Sequence, residues 1–421
     1  MVLRTEKIQS ETINLARKLI GIPSFTGSEK EISEFIASYF DKIKIPVAVD
    51  NYNVVATLGP PERDAILLNG HMDTVPISEK KWDVDPFSGE IIDGHMIGLG
   101  AVDMKASLAS MMIALKYLHK HSKKWQHELD HKIIFTAVVC EEATKKEERE
   151  KGIISLIRKG FCKNVKYAIV GEATNLNAGI GHKGRVIIRV TGKPCHSSMP
   201  HLGANAVRHL CGLIDALYDR KLPWMSKSEK DRPETTLEVV RIAGGTADNV
   251  IPGSSSAILE SRYFTEEALV NVKRFLDDTV QQYTRQRAIG NIHLSVEVVE
   301  ESRIPVYLHT PKELLLIDCA QKIISKIYKQ CTYYLNNFYT DAGYLHNLLN
   351  IPAMIFGPGD ERYAHRVNEK IPISHLDLAP KVFYELCKEF PIMIKEYQLR
   401  LATFAASQIS AQNGILREGT Q

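Results

Sequence analysis

Residues 65–76 have the sequence AILLNGHMDTVP, in which a short apolar run is followed directly by a histidine and an aspartate. Two further β-rich runs, KIIFTAVVC (132–140) and YAIVG (167–171), come later in the chain. Between them, MKASLASMMIALKYLHKH (104–121) has the apolar spacing of a long helix. Strands that alternate with helices predict an α/β fold, in which a mostly parallel sheet is flanked by helices.

The middle of the chain has a different order of elements. The predicted strands and helices are β at 184–193, α at 205–220, β at 236–245, β at 255–264, α at 265–286 and β at 292–300. This βαββαβ order is typical of a two-layer α+β domain. After it the first pattern resumes, with a helix near 311–329, a strand at 353–357 and a closing helix near 377–399. We therefore expect a catalytic domain built from 1–180 and 303–421, with an inserted domain at 181–302.

Composition excludes several classes of protein. With 44% hydrophobic and 24% charged residues, the 421-residue chain is globular, and its net charge of +3 gives no basis for binding nucleic acid. The seven cysteines form no CxxC pair, which favours reduced thiols in a cytoplasmic protein. No apolar run approaches the roughly 20 residues that span a bilayer, so no membrane association is expected.

Two other segments predict ordinary surface structure. Four histidines cluster near a lysine-rich helix end and predict a solvated turn; they are His119, His121, His127 and His131. The tail after about residue 403 is small and polar and is expected to fray.

Acidic and histidine residues follow predicted strands at four places and precede a predicted helix at a fifth. They are His71 with Asp73, Glu141 with Glu142, Glu172, His365 and, before the helix, Asp103. Each place is weak alone: roughly one HxD triplet is expected by chance, and an acidic residue before a helix is usually an N-cap. In open α/β sheets, however, ligands bind outside the carboxyl ends of the strands. The joint placement therefore favours a metal site.

The chemistry of these side chains suggests different tasks. His71 can bind a metal while Asp73 accepts a hydrogen bond from its other ring nitrogen. Asp103 has two carboxylate oxygens and could bridge two cations about 3.5–4 Å apart. Neighbouring residues at a strand end point in different directions, so Glu142 could bind metal while Glu141 faces the substrate as a base.

Five motifs carry a family resemblance. HMDTVP, WDVDPFSGEIIDGHMIGLGAVDMK, CEEA, GEAT and GPGDERYAHRVNE resemble, in this order, the zinc amidohydrolase family of acetylornithine deacetylase, succinyl-diaminopimelate desuccinylase and glutamate carboxypeptidase. The segments LIGIPSFTGSE, HSSMPHLGANAV, DNVIPG, ESR and TDAGYL also fit the family pattern. The resemblance covers nearly the whole chain.

The resemblance implies two divalent metal ions per subunit, zinc first, with cobalt or manganese as alternatives. The implied ligands are His71, Asp103 and Glu172 for one ion, and Asp103, Glu142 and His365 for the other. Glu141 would be the general base, and Asp73, as the residue that orients His71, is counted among the catalytic residues.

Other implied residues lie outside this metal set. His196, in the inserted domain, would reach the active site of the partner subunit and stabilise the oxyanion, since family members are commonly dimers through that domain. Asn249, Arg262 and Gly343 occupy positions where relatives contact substrate.

Three functions remain open. The first is hydrolysis of the amide bond of a small N-acyl amino acid, as by a deacetylase or a desuccinylase. The second is a dipeptidase or carboxypeptidase that uses the same metals. The third, a non-enzymatic binding or scaffold protein, predicts the loss of a ligand or of the base, and all of them are present.

Overall fold

The structure is a computed structural model that describes residues 5–77, 81–125, 129–143, 145–181, 184–220, 235–263, 266–287, 293–298, 311–328, 331, 333–336 and 338–403. The chain divides into two compact units. The first consists of Met1–Ile180, His309–Tyr334 and Thr340–Gln421, and the second of Gly181–Leu308 and Leu335–Tyr339. The sequence predicts the insertion at 181–302, and its role as a lid and dimerisation domain stays a prediction.

Helices and strands are interspersed along the whole chain. In chain order, the first are α1 (Thr5–Ile20), α2 (Lys30–Lys42), β1 (Val47–Asp50), β2 (Asn53–Leu58), β3 (Ala65–His71), β4 (Glu90–Ile92), β5 (His95–Ile97), α3 (Lys105–Trp125), β6 (Lys132–Val138), α4 (Lys146–Arg149), α5 (Ile153–Arg158), β7 (Val165–Val170) and β8 (Ala178–Gly181). Next come β9 (Gly184–Thr191), β10 (Cys195–His196), α6 (Ala206–Asp219), β11 (Thr236–Gly244), β12 (Val250–Ile251), β13 (Ser254–Arg262), α7 (Glu266–Arg287) and β14 (His293–Val298). The last are α8 (Pro311–Ile327), β15 (Tyr333–Asn336), α9 (Ala342–Leu349), β16 (Ala353–Ile355), β17 (Lys370–Pro372) and α10 (Ile373–Lys388).

The main sheet has eight strands in the order β1-β2-β6-β3-β7-β16-β8-β15. Its centre is parallel, because β3 pairs in parallel with β6 and β7, and β16 pairs in parallel with β7. Every residue of β3 is buried, as expected for a strand covered on both faces. Helix α3 packs on β3, and α9 packs on β7 and β16. The α/β prediction is confirmed, and the carboxyl ends of four neighbouring strands meet at one edge.

The second unit contains a four-stranded antiparallel sheet in the order β11-β13-β9-β14. Residues of β13 alternate between buried and less buried positions, so one face of the sheet is covered. Apolar side chains of the strands and of α6 and α7 form one core, which includes Ile188, Leu210, Leu259 and Leu276. This is the two-layer α+β arrangement that the element order predicts.

The predicted closing helix at 377–399 is wrong in its bounds. Helix α10 ends at Lys388, and a separate helical stretch covers 390–403. Pro391 explains the break, because a proline has no N–H to bond the carbonyl of the residue four positions earlier. That carbonyl belongs to Cys387 and instead accepts a hydrogen bond from Nε2 of His131, at 2.8 Å.

The prediction of a solvated histidine turn is also wrong where the structure describes it. His121 and His131 are only 8% and 4% exposed. Nδ1 of His121 lies 2.9 Å from the hydroxyl of Tyr384, so both imidazoles contact helix α10. His127 and the tail at 404–421 lie outside the described residues. Among the helices that are described, none has both the length and the hydropathy to cross a membrane.

Candidate metal centre

The carboxyl edge of the parallel strands collects most of the predicted site residues. His71 is the last residue of β3, and Glu172 lies two positions beyond the end of β7. Glu142 lies beyond β6, and His365 lies on the loop that follows β16. Asp103 joins them from the turn that precedes α3.

Asp103 lies between two imidazoles. Its Oδ1 is 2.8 Å from Nε2 of His71, and its Oδ2 is 3.1 Å from Nε2 of His365. Glu172 Oε1 lies 3.4 Å from the same nitrogen of His71, and Glu142 Oε1 lies 2.6 Å from that of His365. Each of these two triads has ligand atoms that lie within 4.8 Å of one another. The geometry therefore assembles two donor sets that share Asp103.

Burial and like charges act strongly on the acidic members of this cluster. Burial, together with the charge of Asp103, raises the pKa of Glu172 to about 7. Hydrogen bonds to Asp103 and Glu142 raise the pKa of His365 to about 11. Burial alone would raise the pKa of Asp103, but the imidazoles of His365 and His71 hold it below its usual range. A cluster of buried carboxylates with only two imidazoles favours a cation.

The donor atoms fit two divalent cations. Nitrogen and carboxylate oxygen without sulfur suit zinc, and also cobalt or manganese. If Asp103, Glu141, Glu142 and Glu172 are ionised, their four negative charges match those of two divalent cations. Glu141 Oε1 is buried and has no hydrogen-bond partner within the described part of the chain, so this oxygen faces the cluster unsatisfied.

Asp73 lies beside the ring Nδ1 of His71, as predicted, but two of its oxygens are near that nitrogen. The ring Nδ1 of His71 lies 3.0 Å from the backbone oxygen of Asp73 and 3.4 Å from its carboxylate Oδ1. The backbone oxygen is the better-placed acceptor, so it is the main chain that orients the imidazole. The Asp73 carboxylate instead accepts hydrogen bonds from the backbone N–H groups of Glu141 and Glu142, both at 3.1 Å.

The Glu141–Glu142 pair lies in a turn, not at the end of a strand. The predicted strand at 132–140 ends at Val138, and Cys140 has a φ of 57°. Contrary to the prediction, alternation along a strand therefore does not separate the two side chains. Carboxylates from other segments stabilise this turn. Glu29 Oε1 accepts the Cys140 N–H at 3.1 Å, and the Asp73 carboxylate accepts the N–H groups of Glu141 and Glu142.

Sequence reasoning missed Glu29 and Glu369 as parts of the site. Both are buried, at 3% and 2% exposure, and both accept backbone N–H groups of residues next to predicted ligands or the base. Both stand inside quoted motifs, TGSE and HRVNE. Nothing local distinguishes a glutamate that binds backbone from one on the surface, so only the fold assigns them.

The remaining predicted site residues lie in both units. In the second unit, the β10–β12 ladder pairs His196 with Val250, and Ser197 N–H donates to the Asn249 carbonyl at 2.9 Å. His196 and Asn249 are thus brought together, whereas Arg262 ends β13 and lies 3.4 Å from Glu260. In the first unit, Gly343 is buried in α9. The roles of these residues stay predictions.

His375 supports the loop that carries His365. Its Nδ1 accepts the N–H of Gly359 at 3.1 Å, which requires a neutral ring. Burial lowers the pKa of His375 to about 4 from the usual 6.5.

Because the pKa of His375 is lowered in the folded protein, we expect the protein to lose stability in acid. Between pH 6.5 and 4 the unfolded chain binds a proton that the folded chain does not, so the stability present above pH 6.5 falls as the pH drops through this window. At about 1.4 kcal/mol per pKa unit, the loss is at most about 3–4 kcal/mol. Urea unfolding of the wild type and His375→Asn, whose amide oxygen can replace Nδ1, measures it. The two proteins losing stability in parallel between pH 7.5 and 4.5 would contradict the assignment.

Comparison with known proteins places these features in a family. The model for peptidase family M20/M25/M40 matches residues 67–389. An acetylornithine deacetylase from Proteus mirabilis is 28% identical over 401 residues, covering 90% of this chain and 96% of the relative. A succinyl-diaminopimelate desuccinylase from Pelagibacter ubique is 27% identical over 397 residues, covering 90% and 98%. A tripeptidase structure from Staphylococcus aureus has the same fold, with a TM-score of 0.69, 22% identity and coverage of 90% and 98%. Since the family match spans well over half of the sequence, the chain belongs to peptidase family M20/M25/M40.

Proposed function

We propose that this enzyme hydrolyses the amide bond of a small N-acyl amino acid with a water molecule activated at two divalent cations. The observation that carries the proposal is Asp103, whose two oxygens each face one imidazole, with a further carboxylate beside each ring. The relatives from Proteus mirabilis and Pelagibacter ubique support the substrate class, since both names describe removal of an acyl group from an amino acid.

The chain itself supplies the proton transfer. Two divalent cations bound at this cluster would lower the pKa of a water molecule to about 7 and polarise the scissile carbonyl. Burial and the nearby carboxylates raise the pKa of Glu141 well above its usual range, so this carboxylate binds a proton more tightly than a free one, as a general base requires. Glu141 takes a proton from the water and returns it to the leaving amine, so that one acid and one amine are released. Asp73 and Glu29 hold the backbone of this turn in place.

Zinc is the proposed metal, with cobalt or manganese as alternatives, because imidazole and carboxylate ligands suit all three. The cytoplasm is the proposed location, on the ground that seven cysteines occur without a CxxC pair.

Peptidase activity is the alternative. The tripeptidase from Staphylococcus aureus shares the fold, and the same cluster could hydrolyse a dipeptide. The experiment compares kcat/KM of the zinc-loaded enzyme for N-acetylornithine, N-succinyl-diaminopimelate and several dipeptides. We expect an N-acyl amino acid to exceed every dipeptide by at least about tenfold, or about 1.4 kcal/mol of transition-state stabilisation. A dipeptide as the best substrate would replace the deacylase assignment with the peptidase one.

A homodimer formed through the second unit is part of the proposal. Strand β11 lies at the edge of its sheet, and its Val240 and Ile242 side chains are 52% and 51% exposed. An exposed edge strand offers unpaired backbone groups to another chain. The resemblance further implies that His196 completes the active site of the partner.

We expect His196→Ala to lower kcat by about 10²–10³-fold, because an oxyanion donor is lost, while the metal content is unchanged. His196 is exposed in the second unit, and His201→Ala, an exposed histidine of the same segment, is the matched control. Mixing His196→Ala with Glu141→Gln should produce heterodimers in which one intact site restores part of the activity. No recovery after demonstrated subunit exchange would mean that His196 acts within its own chain.

A further inference from the structure

The carboxylate of Glu369 is bonded entirely to the backbone of one turn. Its Oε2 accepts the N–H of Gly100 at 2.9 Å. Its Oε1 accepts the N–H of Val102 at 2.6 Å and that of Asp103 at 3.0 Å. Glu369 is only 2% exposed, so its carboxylate is hydrogen-bonded to these three N–H groups and not to solvent. One carboxylate thus binds three N–H groups of the segment that ends at the shared residue Asp103.

The turn at 98–103 depends on this contact for its shape. It contains no helix or strand, and it leaves β5 where the ladder with β17 pairs Ile97 with Lys370. The backbone continues that pairing by one bond, from Gly98 N–H to the Glu369 carbonyl at 2.9 Å. Gly100 has a φ of 79°, and a Cβ there would lie 2.9 Å from Thr74 Cγ2. The N–H groups of residues 100, 102 and 103 all donate to Glu369, while the Gly100 carbonyl accepts the N–H of Lys105 at 2.8 Å.

Glu369 belongs to none of the candidate ligand groups among the described residues, and both of its oxygens accept backbone N–H groups. Burial and the charge of Asp103 raise the pKa of Glu369 to about 8, while the three N–H groups act in the opposite direction. Since all three donors point at its oxygens, the geometry is that of an acceptor. Glu369 is also four positions beyond His365, so it joins the loop of one ligand to the turn of another.

We propose that Glu369 is a positioning residue that holds Asp103 between the imidazoles of His71 and His365, so that both cation sites depend on it. This inference rests on the proposed two-cation function. Glu369 belongs to neither donor set. Its proposed role is to align Asp103, the one residue that both sets share.

The test is the metal affinity of Glu369→Gln. The amide keeps the volume of the side chain but turns an N–H₂ group toward at least one backbone N–H, so at least one of the three bonds is lost. We expect a 10–100-fold weaker affinity at both sites, the range found when a residue supporting a ligand is removed. Competition with a chelator gives the two dissociation constants, and the absorption spectrum of the cobalt-substituted protein reports the altered geometry. Glu385→Gln, which removes a surface carboxylate 3.2 Å from Lys388, is the matched control and should change neither.

The outcomes separate this inference from the proposed function. A folded Glu369→Gln protein with wild-type affinities and an unchanged cobalt spectrum would overturn the inference and leave the function intact. A wild-type protein that binds no metal would overturn both. Should the glutamine variant not fold, Glu369→Asp takes its place, since it keeps the charge but retracts the carboxylate by one methylene. It is expected to weaken both sites in the same direction, and unchanged affinities would overturn the inference equally.

Discussion

Replacing Glu141 with glutamine is expected to lower kcat by about 10²–10⁴-fold while the protein keeps two metal ions and its affinity for substrate. Glutamine has nearly the same shape but cannot take a proton from water. The backbone N–H of residue 141 still reaches the Asp73 carboxylate at 3.1 Å, so the turn should keep its conformation. This expectation depends on Oε1 of Glu141, which is buried and has no hydrogen-bond partner among the residues that the structure describes.

Glu142→Gln is the matched comparison, because it makes the same change at the next residue. Glu142 Oε1 lies 2.6 Å from Nε2 of His365, within the triad completed by Asp103. This variant should therefore lose metal from one site. The ligand atoms of His71, Glu141 and Glu142 also lie within 4.8 Å of one another, so the distances alone do not separate the two roles. Measuring the metal stoichiometry together with kcat separates the two roles. If Glu141→Gln lost metal and Glu142→Gln kept it, the roles of base and ligand would be reversed.

The strands that carry the site could be predicted because their sequences are mostly apolar. A buried parallel strand needs no alternation, so AILLNG and YAIVG stand out from the polar residues that follow. Parallel strands bring their carboxyl ends to one edge of a sheet, which is why residues distant in sequence meet there. The short strands β4, β5, β10, β12 and β17, of two or three residues each, have no such pattern and are not predicted.

The contacts that orient the site could not be predicted from pattern. Glu29, Asp73 and Glu369 each accept backbone N–H groups of a distant segment. Almost every residue has such an N–H group, so the sequence does not show which one a carboxylate will bind. The polar neighbours of His131 in sequence favour a solvated turn. The carbonyl that it binds, freed by Pro391, lies 256 residues away. The proline itself is visible in the sequence and is sufficient reason to end the predicted helix before it.

Removing the metal is expected to abolish hydrolysis, since the cluster assembles donors for two cations and bound cations would supply the activated water molecule. The stripped protein should still be folded, because β3, β6 and β7 are buried in the main sheet and do not depend on the cluster for their pairing.

Without cations, the buried carboxylates of Asp103, Glu142 and Glu172 repel one another. Metal-free protein should therefore unfold more readily as the pH rises, and bound metal should remove that effect.

The most direct measurement is a titration of metal-stripped protein with zinc or cobalt, with elemental analysis and kcat determined on the same samples. The structure predicts no activity at zero metal and full recovery as two equivalents per chain are bound, because Asp103 serves both donor sets. Full activity in protein that elemental analysis shows to be free of metal would contradict the two-cation account.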